Sequence, residues 1–173
     1  MRLASFIGTK KGILGLGNIL IRLRLKGKES HCEVVFEPGD NADHLMPDGT
    51  CQPDSEGKLW CFSSTATERV NPESEFRPNK LGGCRFVRKD VSNSDWILED
   101  TKQQPILAAI RANAICGQRY DWRFIFGFLL WFIPEKKSRK ACSEACAYVL
   151  GFSNPELFNP VNLRVANKGV VND

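Results

Sequence analysis

Long apolar runs are scarce in this sequence: the one strongly apolar stretch, Phe124 to Ile133, covers ten residues. A membrane-spanning helix needs about 20, so the stretch reads as a buried helix and the protein as soluble. The N-terminus is no richer. Met1-Arg2-Leu3-Ala4-Ser5-Phe6-Ile7 runs into Thr9, Lys10 and Lys11 and lacks the uninterrupted apolar run of a signal peptide, so the cytoplasm is the expected compartment. Histidine is limited to two residues, and no Cys or His pair has C-x-x-C or H-x-x-x-H spacing. That spacing gives little support to a metal site drawn from His31, His44, Cys32, Cys51 and Cys61, and no cofactor is expected. Gly12, Gly15 and Gly17 lack the G-x-G-x-x-G spacing and the Lys-Ser/Thr of a phosphate loop, leaving them turn and helix-packing roles. Strong charge is missing too. The formal net charge is +4, with Lys and Arg scattered except at Arg22 to Lys28 and Lys136 to Lys140, whereas a nucleic-acid footprint is more concentrated. No internal repeat, low-complexity tract or linker divides the chain.

What remains is ordinary globular material. The 173 residues are 42% hydrophobic and 25% charged, which fits one domain over 1–173 that buries roughly 70% of its unfolded surface. The seven cysteines are odd in number and irregularly spaced. Without an export signal they are read as mostly reduced and buried rather than as a disulfide framework. The oligomeric state is not legible.

Hydrophobic periodicity orders the elements. Residues 3 to 7 read as a strand and Ile13 to Leu23 as a helix whose last turn carries cations suited to its dipole. His31-Cys32-Glu33-Val34-Val35-Phe36 reads as a strand stopped by Pro38-Gly39, with His31, Glu33 and Val35 on one face and Cys32, Val34 and Phe36 on the other. A loop over 38 to 57 leads to a strand at Leu59 to Ser63, and a long polar connection follows from Ser64 to Leu81. Cys84 to Arg88 and Trp96 to Glu99 supply further strands of a sheet expected to be antiparallel. Helices follow at Ile106 to Ile115, stopped by Gly117, at Trp122 to Ile133, ended by Pro134, and from about Ala141 to Leu150, capped by Gly151. The Asn- and Pro-rich tail is expected to thin out. Strands first and helices afterwards favour an α+β fold.

A cysteine nucleophile must be a thiolate, and helix N-termini, nearby cations and imidazoles make one. Cys142 has access to all three: it opens a helix, follows Lys136, Lys137, Arg139 and Lys140, and has two histidines as potential partners. Cys146, one turn on, reads as packing. His31 shares a strand face with Glu33, whose carboxylate can orient the ring. His44 lies among turn-forming residues and is the weaker candidate base. By default a helical cysteine is a small buried hydrophobe, a strand histidine a structural one and a basic run a solvated loop. Spacing alone does not choose between these readings.

A resemblance does choose. Ser30-His31-Cys32-Glu33-Val34-Val35-Phe36 resembles the SH-x-E strand of the permuted papain-like hydrolases, the YiiX-like branch of the NlpC superfamily, found in phage and bacterial genomes. Phe62-Ser63-Ser64, Gly82-Gly83-Cys84-Arg85-Phe86, Tyr120-Asp121-Trp122 and Cys142-Ser143-Glu144 follow in that family's order, and Phe158-Asn159-Pro160-Val161-Asn162-Leu163 looks like its closing SP-x-x-L. The resemblance spans nearly the whole chain and rests on the order of the pieces, each of them weak alone. The histidine strand precedes the cysteine helix, the reverse of papain, as a circular permutation implies. Ala141 and Ala145 stand where relatives carry aromatics, and the Ser64 to Gly82 connection is longer than theirs.

The resemblance implies a thiol-protease-like cysteine hydrolase or acyl transferase with a permuted papain-like fold. Cys142 is then nucleophile, His31 general base and Glu33 the orienting group, with Ser63 or its neighbours as the other place for that group. Tyr120 and Ser63 are the implied substrate contacts. Implied substrates are peptide, other amide or lipid-type acyl compounds, and fold does not select among them. The alternative is a non-catalytic binding module using its basic helix ends to recognise an acidic partner.

Overall fold

The computed structural model describes residues 1–9, 13–69, 81–120 and 139–172. In chain order the elements are β1 (Arg2–Phe6), α1 (Ile13–Leu25), β2 (His31–Phe36), β3 (Leu59–Arg69), β4 (Leu81–Lys89), β5 (Trp96–Asp100), α2 (Pro105–Ile115), β6 (Arg119–Tyr120), β7 (Arg139–Lys140), α3 (Cys142–Val149) and α4 (Pro160–Asn172). Five strands form one sheet in the order β4-β3-β2-β1-β5, and every neighbouring pair is antiparallel. β6 and β7 make a separate parallel pair. The chain is α+β, with four helices among the described residues, none long and apolar enough to cross a membrane.

Side-chain alternation divides the sheet into two faces, as β2 shows. Cys32, Val34 and Phe36 enter the main core with Leu3, Phe62, Cys84 and Phe86, while Val35 joins Ala4, Cys61 and Val91 on the opposite face. The Phe86 ring lies 4.9 Å from that of Phe62 and 6.0 Å from that of Phe36. Fully burying one such ring stabilises the fold by roughly 1.5–3 kcal/mol. α2 and α3 cover this face with small residues, Ala108, Ala109 and Ala112 from one and Ala145, Cys146 and Val149 from the other. Short side chains let α3 lie close to the strands, and Ala145 belongs wholly to the core.

α3 is stopped by backbone chemistry. Gly151 sits at φ 75°, the Phe152 N–H donates to the Ala147 carbonyl and the Gly151 N–H to that of Tyr148. These are the two bonds of a Schellman cap, whose left-handed residue favours glycine. Gly82, at φ 76° where β4 begins, is required for closeness: a Cβ there would stand 3.0 Å from the Ala66 carbonyl oxygen of β3.

Two elements differ from expectation. β3 continues to Arg69 instead of ending at Ser63, because its buried hydroxyls are satisfied: Ser63 Oγ donates to the Cys32 carbonyl at 2.7 Å and Ser64 Oγ to that of Lys140 at 2.6 Å. The tail does not thin out but forms α4. Its N-terminus is capped by Asn159 Oδ1, which accepts the N–H groups of Val161 and Asn162 at 3.0 Å each, and Leu163 is fully buried. The helix expected at Trp122 to Ile133 lies outside the described residues.

Candidate active site

β2 and β3 pair only from Val34 to Phe36 on the β2 side. Towards its start, at Cys32 and His31, β2 keeps β1 as a partner but has parted from β3. The Cys32 carbonyl, which in a continuing ladder would face a β3 amide, accepts Ser63 Oγ and, at 3.4 Å, the Cys146 thiol. Its N–H is a neighbour of the Cys142 sulfur and lowers that thiol's proton affinity. The N-terminus of α3 therefore meets the sheet where two central strands separate, pinned there by the bond from Ser64 to Lys140.

That start of α3 is ordered by local bonds. Glu144, at the third helical position, accepts the Ala141 N–H at 3.1 Å and holds Lys140 Nζ at 3.3 Å. Ser143 Oγ donates to the Phe158 carbonyl at 2.7 Å. Ala141 has no side-chain oxygen, so only the Glu144 half of a capping box forms. The Cys142 N–H is among the first four amides, which have no carbonyl partner within the helix.

His31 lies between two groups. Its Nε2 is 3.0 Å from Glu33 Oε1, and the Cys142 sulfur lies near enough to act on the ring's proton affinity. With Nε2 held by the carboxylate, Nδ1 is the nitrogen left for sulfur. Trp96 stands edge-on to the imidazole, 6.3 Å between centroids. The ring is 19% exposed and Cys142 6%, so both keep contact with solvent.

Glu33 has no exposed surface, and its charge is matched by cations from β4. Arg85 Nη2, also fully buried, donates to Oε1 at 3.1 Å and Lys89 Nζ at 2.5 Å. Arg85 Nη1 reaches back to the Ser63 carbonyl at 3.1 Å. Burial alone pushes the Glu33 carboxyl up, but Arg85, Lys89 and His31 together hold it well below the usual carboxylate range.

Proton affinities follow from the same contacts. Cys142 is held well below the ordinary thiol value, first by a hydrogen bond from the Cys32 thiol and then, against the cost of burial, by His31 and the Cys32 amide. Cys32 moves the opposite way, raised by burial and by the neighbouring sulfurs. His31 is lowered by burial but raised further by the Cys142 thiolate and Glu33, so its net shift is upward. The arrangement favours a thiolate–imidazolium pair.

The sequence-derived residues divide accordingly. Cys142, His31 and Glu33, which are 111 residues apart at their extremes, come together. Ser63 is fully buried and its hydroxyl is engaged by Cys32, so it fastens strands rather than facing a ligand. Tyr120 is buried in β6, paired with Lys140 two residues ahead of Cys142. His44 is exposed on a turn at Asp43–Leu45. Of the basic run, Lys140 turns to Glu144 and lies 5.8 Å from the Tyr148 ring centroid. Among the described residues, no three His, Cys, Asp or Glu side chains are grouped as a metal ion requires.

Three residues at the site were not anticipated in these roles: Cys32, weighed only as a metal ligand, Arg85, quoted only within a motif, and Lys89. A signal existed for the cations, since Arg85, Val87 and Lys89 alternate on one face of β4. Only the register, which aligns Ser63 with Arg85, directs that face at Glu33. No family model, curated protein or solved structure matches this chain.

Proposed function

We propose that this protein is a cysteine hydrolase or acyl transferase of circularly permuted papain-like architecture, acting on an amide, peptide or ester bond. The observation that carries the reading is the His31 ring, 3.0 Å from a buried carboxylate on one side and neighboured on the other by a thiol at a helix N-terminus, which acts on its proton affinity. The histidine strand before the cysteine helix, with that helix packed on an antiparallel sheet, agrees with it.

In this mechanism the Cys142 thiolate attacks the acyl carbon and the oxyanion is met by the Cys142 N–H. His31 gives its proton to the leaving group, then takes one from water, whose attack on the thioester frees the acid and restores the thiolate–imidazolium pair. Glu33 holds the ring and stabilises its charged form. An amine or alcohol in place of water makes the protein a transferase.

The test is alkylation by iodoacetamide across pH, with peptide mapping. Cys142 is expected to label first, and near neutral pH. His31→Ala removes that preference, slowing labelling by about tenfold for each unit by which the thiol pKa rises. Hydrolysis of a responsive member of an amide, ester and peptidoglycan panel falls by about 10²–10⁴ in the same variant. Equal, slow labelling of several thiols, unaffected by His31→Ala, sinks the proposal and favours the non-catalytic module for an acidic partner.

A further inference from the structure

The hydrolytic mechanism uses one sulfur, yet three meet at the site. Cys142 and Cys146 stand one turn apart on the face of α3 directed at the sheet, and Cys32 faces them from β2 in the same core. The Cys142 and Cys146 sulfurs are both neighbours of the Cys32 thiol and act on its proton affinity. Cys32 and Cys146 are fully buried, whereas Cys142 keeps 6% of its surface. Cys146 is further engaged by the Cys32 carbonyl. A small solute entering from solvent therefore meets Cys142 first and finds Cys32 behind it.

We infer that Cys32 is the resolving thiol of Cys142, so that a hydroperoxide converts the pair into a reversible disulfide that blocks the site. In the first step the Cys142 thiolate attacks the terminal peroxide oxygen. The S–O bond forms, the O–O bond breaks, and the departing alkoxide or hydroxide takes the proton from His31, giving a sulfenic acid and an alcohol or water. Next the Cys32 sulfur attacks the sulfenic sulfur; the S–S bond forms, and the hydroxyl leaves as water with the Cys32 proton. The peroxide gains two electrons and each sulfur gives one. A dithiol reduces the disulfide by exchange, becoming a disulfide itself and returning both thiols. Without a neighbour the sulfenic acid is oxidised by a second hydroperoxide to sulfinic acid, which is not reversed by thiols.

This inference needs the reactive sulfur at 142 but not acyl transfer, so the two readings fail separately. The full chain is treated with hydrogen peroxide, its remaining thiols are blocked under denaturing conditions, and the peptides are mapped by mass spectrometry. A Cys32–Cys142 crosslink is expected as the main product, lost on dithiothreitol treatment with recovery of fast Cys142 alkylation. In Cys32→Ser the crosslink disappears, dimedone traps Cys142 as sulfenic acid, and prolonged peroxide leaves alkylation unrecovered. The wild-type map decides without the variant: Cys142 reaching sulfinic acid with no crosslink, or a crosslink to a different cysteine, overturns the inference. A Cys32–Cys142 crosslink in a chain that cleaves no acyl substrate upholds it and counts against the hydrolase.

Discussion

A carboxylate without exposed surface is tolerated at position 33 because Arg85, Lys89 and His31 converge on its Oε1. Pairs of this kind cost much when half is removed, about 3–5 kcal/mol, since the remaining charge stays buried. Arg85→Met is expected to destabilise by that amount in urea unfolding. Glu33 sits below its ordinary value, so its contribution is present above the normal carboxylate range and lost as pH falls through the depressed folded value. With Arg85 gone burial weighs more heavily, and the acid-unfolding midpoint followed by circular dichroism should move to higher pH. An unchanged midpoint would mean that Lys89 and His31 suffice. The reactive pair obeys the same linkage with opposite limbs. The lowered Cys142 stabilises above the unfolded thiol value and loses that contribution as pH falls through its folded value, whereas the raised His31 stabilises below about 6.5 and loses it as pH rises through its own. The two shifts together favour the thiolate–imidazolium form, and rapid alkylation should begin as Cys142 ionises, below the ordinary thiol range.

The site depends on how α3 enters the gap between β2 and β3. Ser64 Oγ closes a bond to the Lys140 carbonyl, joining positions 76 residues apart. Ser64→Ala removes it at a cost of about 1 kcal/mol. The stability loss is small, but Cys142 opens the helix two residues later, so its alkylation near neutral pH should slow as well. A variant that loses stability while labelling at the wild-type rate would show that the Ser64 bond steadies the sheet without placing the sulfur. Thiol reactivity and global stability are thus separate readouts of one hydroxyl.

α4 binds distant parts of the chain together although its apolar face is thin. Arg164 bonds Glu29 at 2.6 Å and Glu99 at 2.8 Å, and Asn167 Nδ2 donates to the Asp100 carbonyl at 2.9 Å. One helix thereby reaches both the turn before β2 and the edge strand β5. Its formation relies on the Asn159 cap, so Asn159→Ala should cost about 1 kcal/mol. In a protein of this size that lowers Tm by about 2–4 °C. Because α4 meets β5 and the approach to His31, the fall should appear as a single transition; a separate early transition would show α4 unfolding alone.

Local pattern was enough to read the α+β class, the faces of β2, the helix that begins at Cys142 and its glycine stop, because side-chain period and capping depend only on near neighbours along the chain. The pairing of His31 with Glu33 belonged to the same order of information, being two residues apart on one strand. α4 escaped because its N-terminal Asn-Pro signal was followed by too few apolar residues to mark a period. The length of β3 escaped because buried serines look like a loop until their acceptors are known. Arg85 and Lys89 beside Glu33, Cys32 against Cys142 and the opening between β2 and β3 depend on strand register and on where a helix lands. Those are contacts between residues tens of positions apart, and composition and spacing carry no record of them.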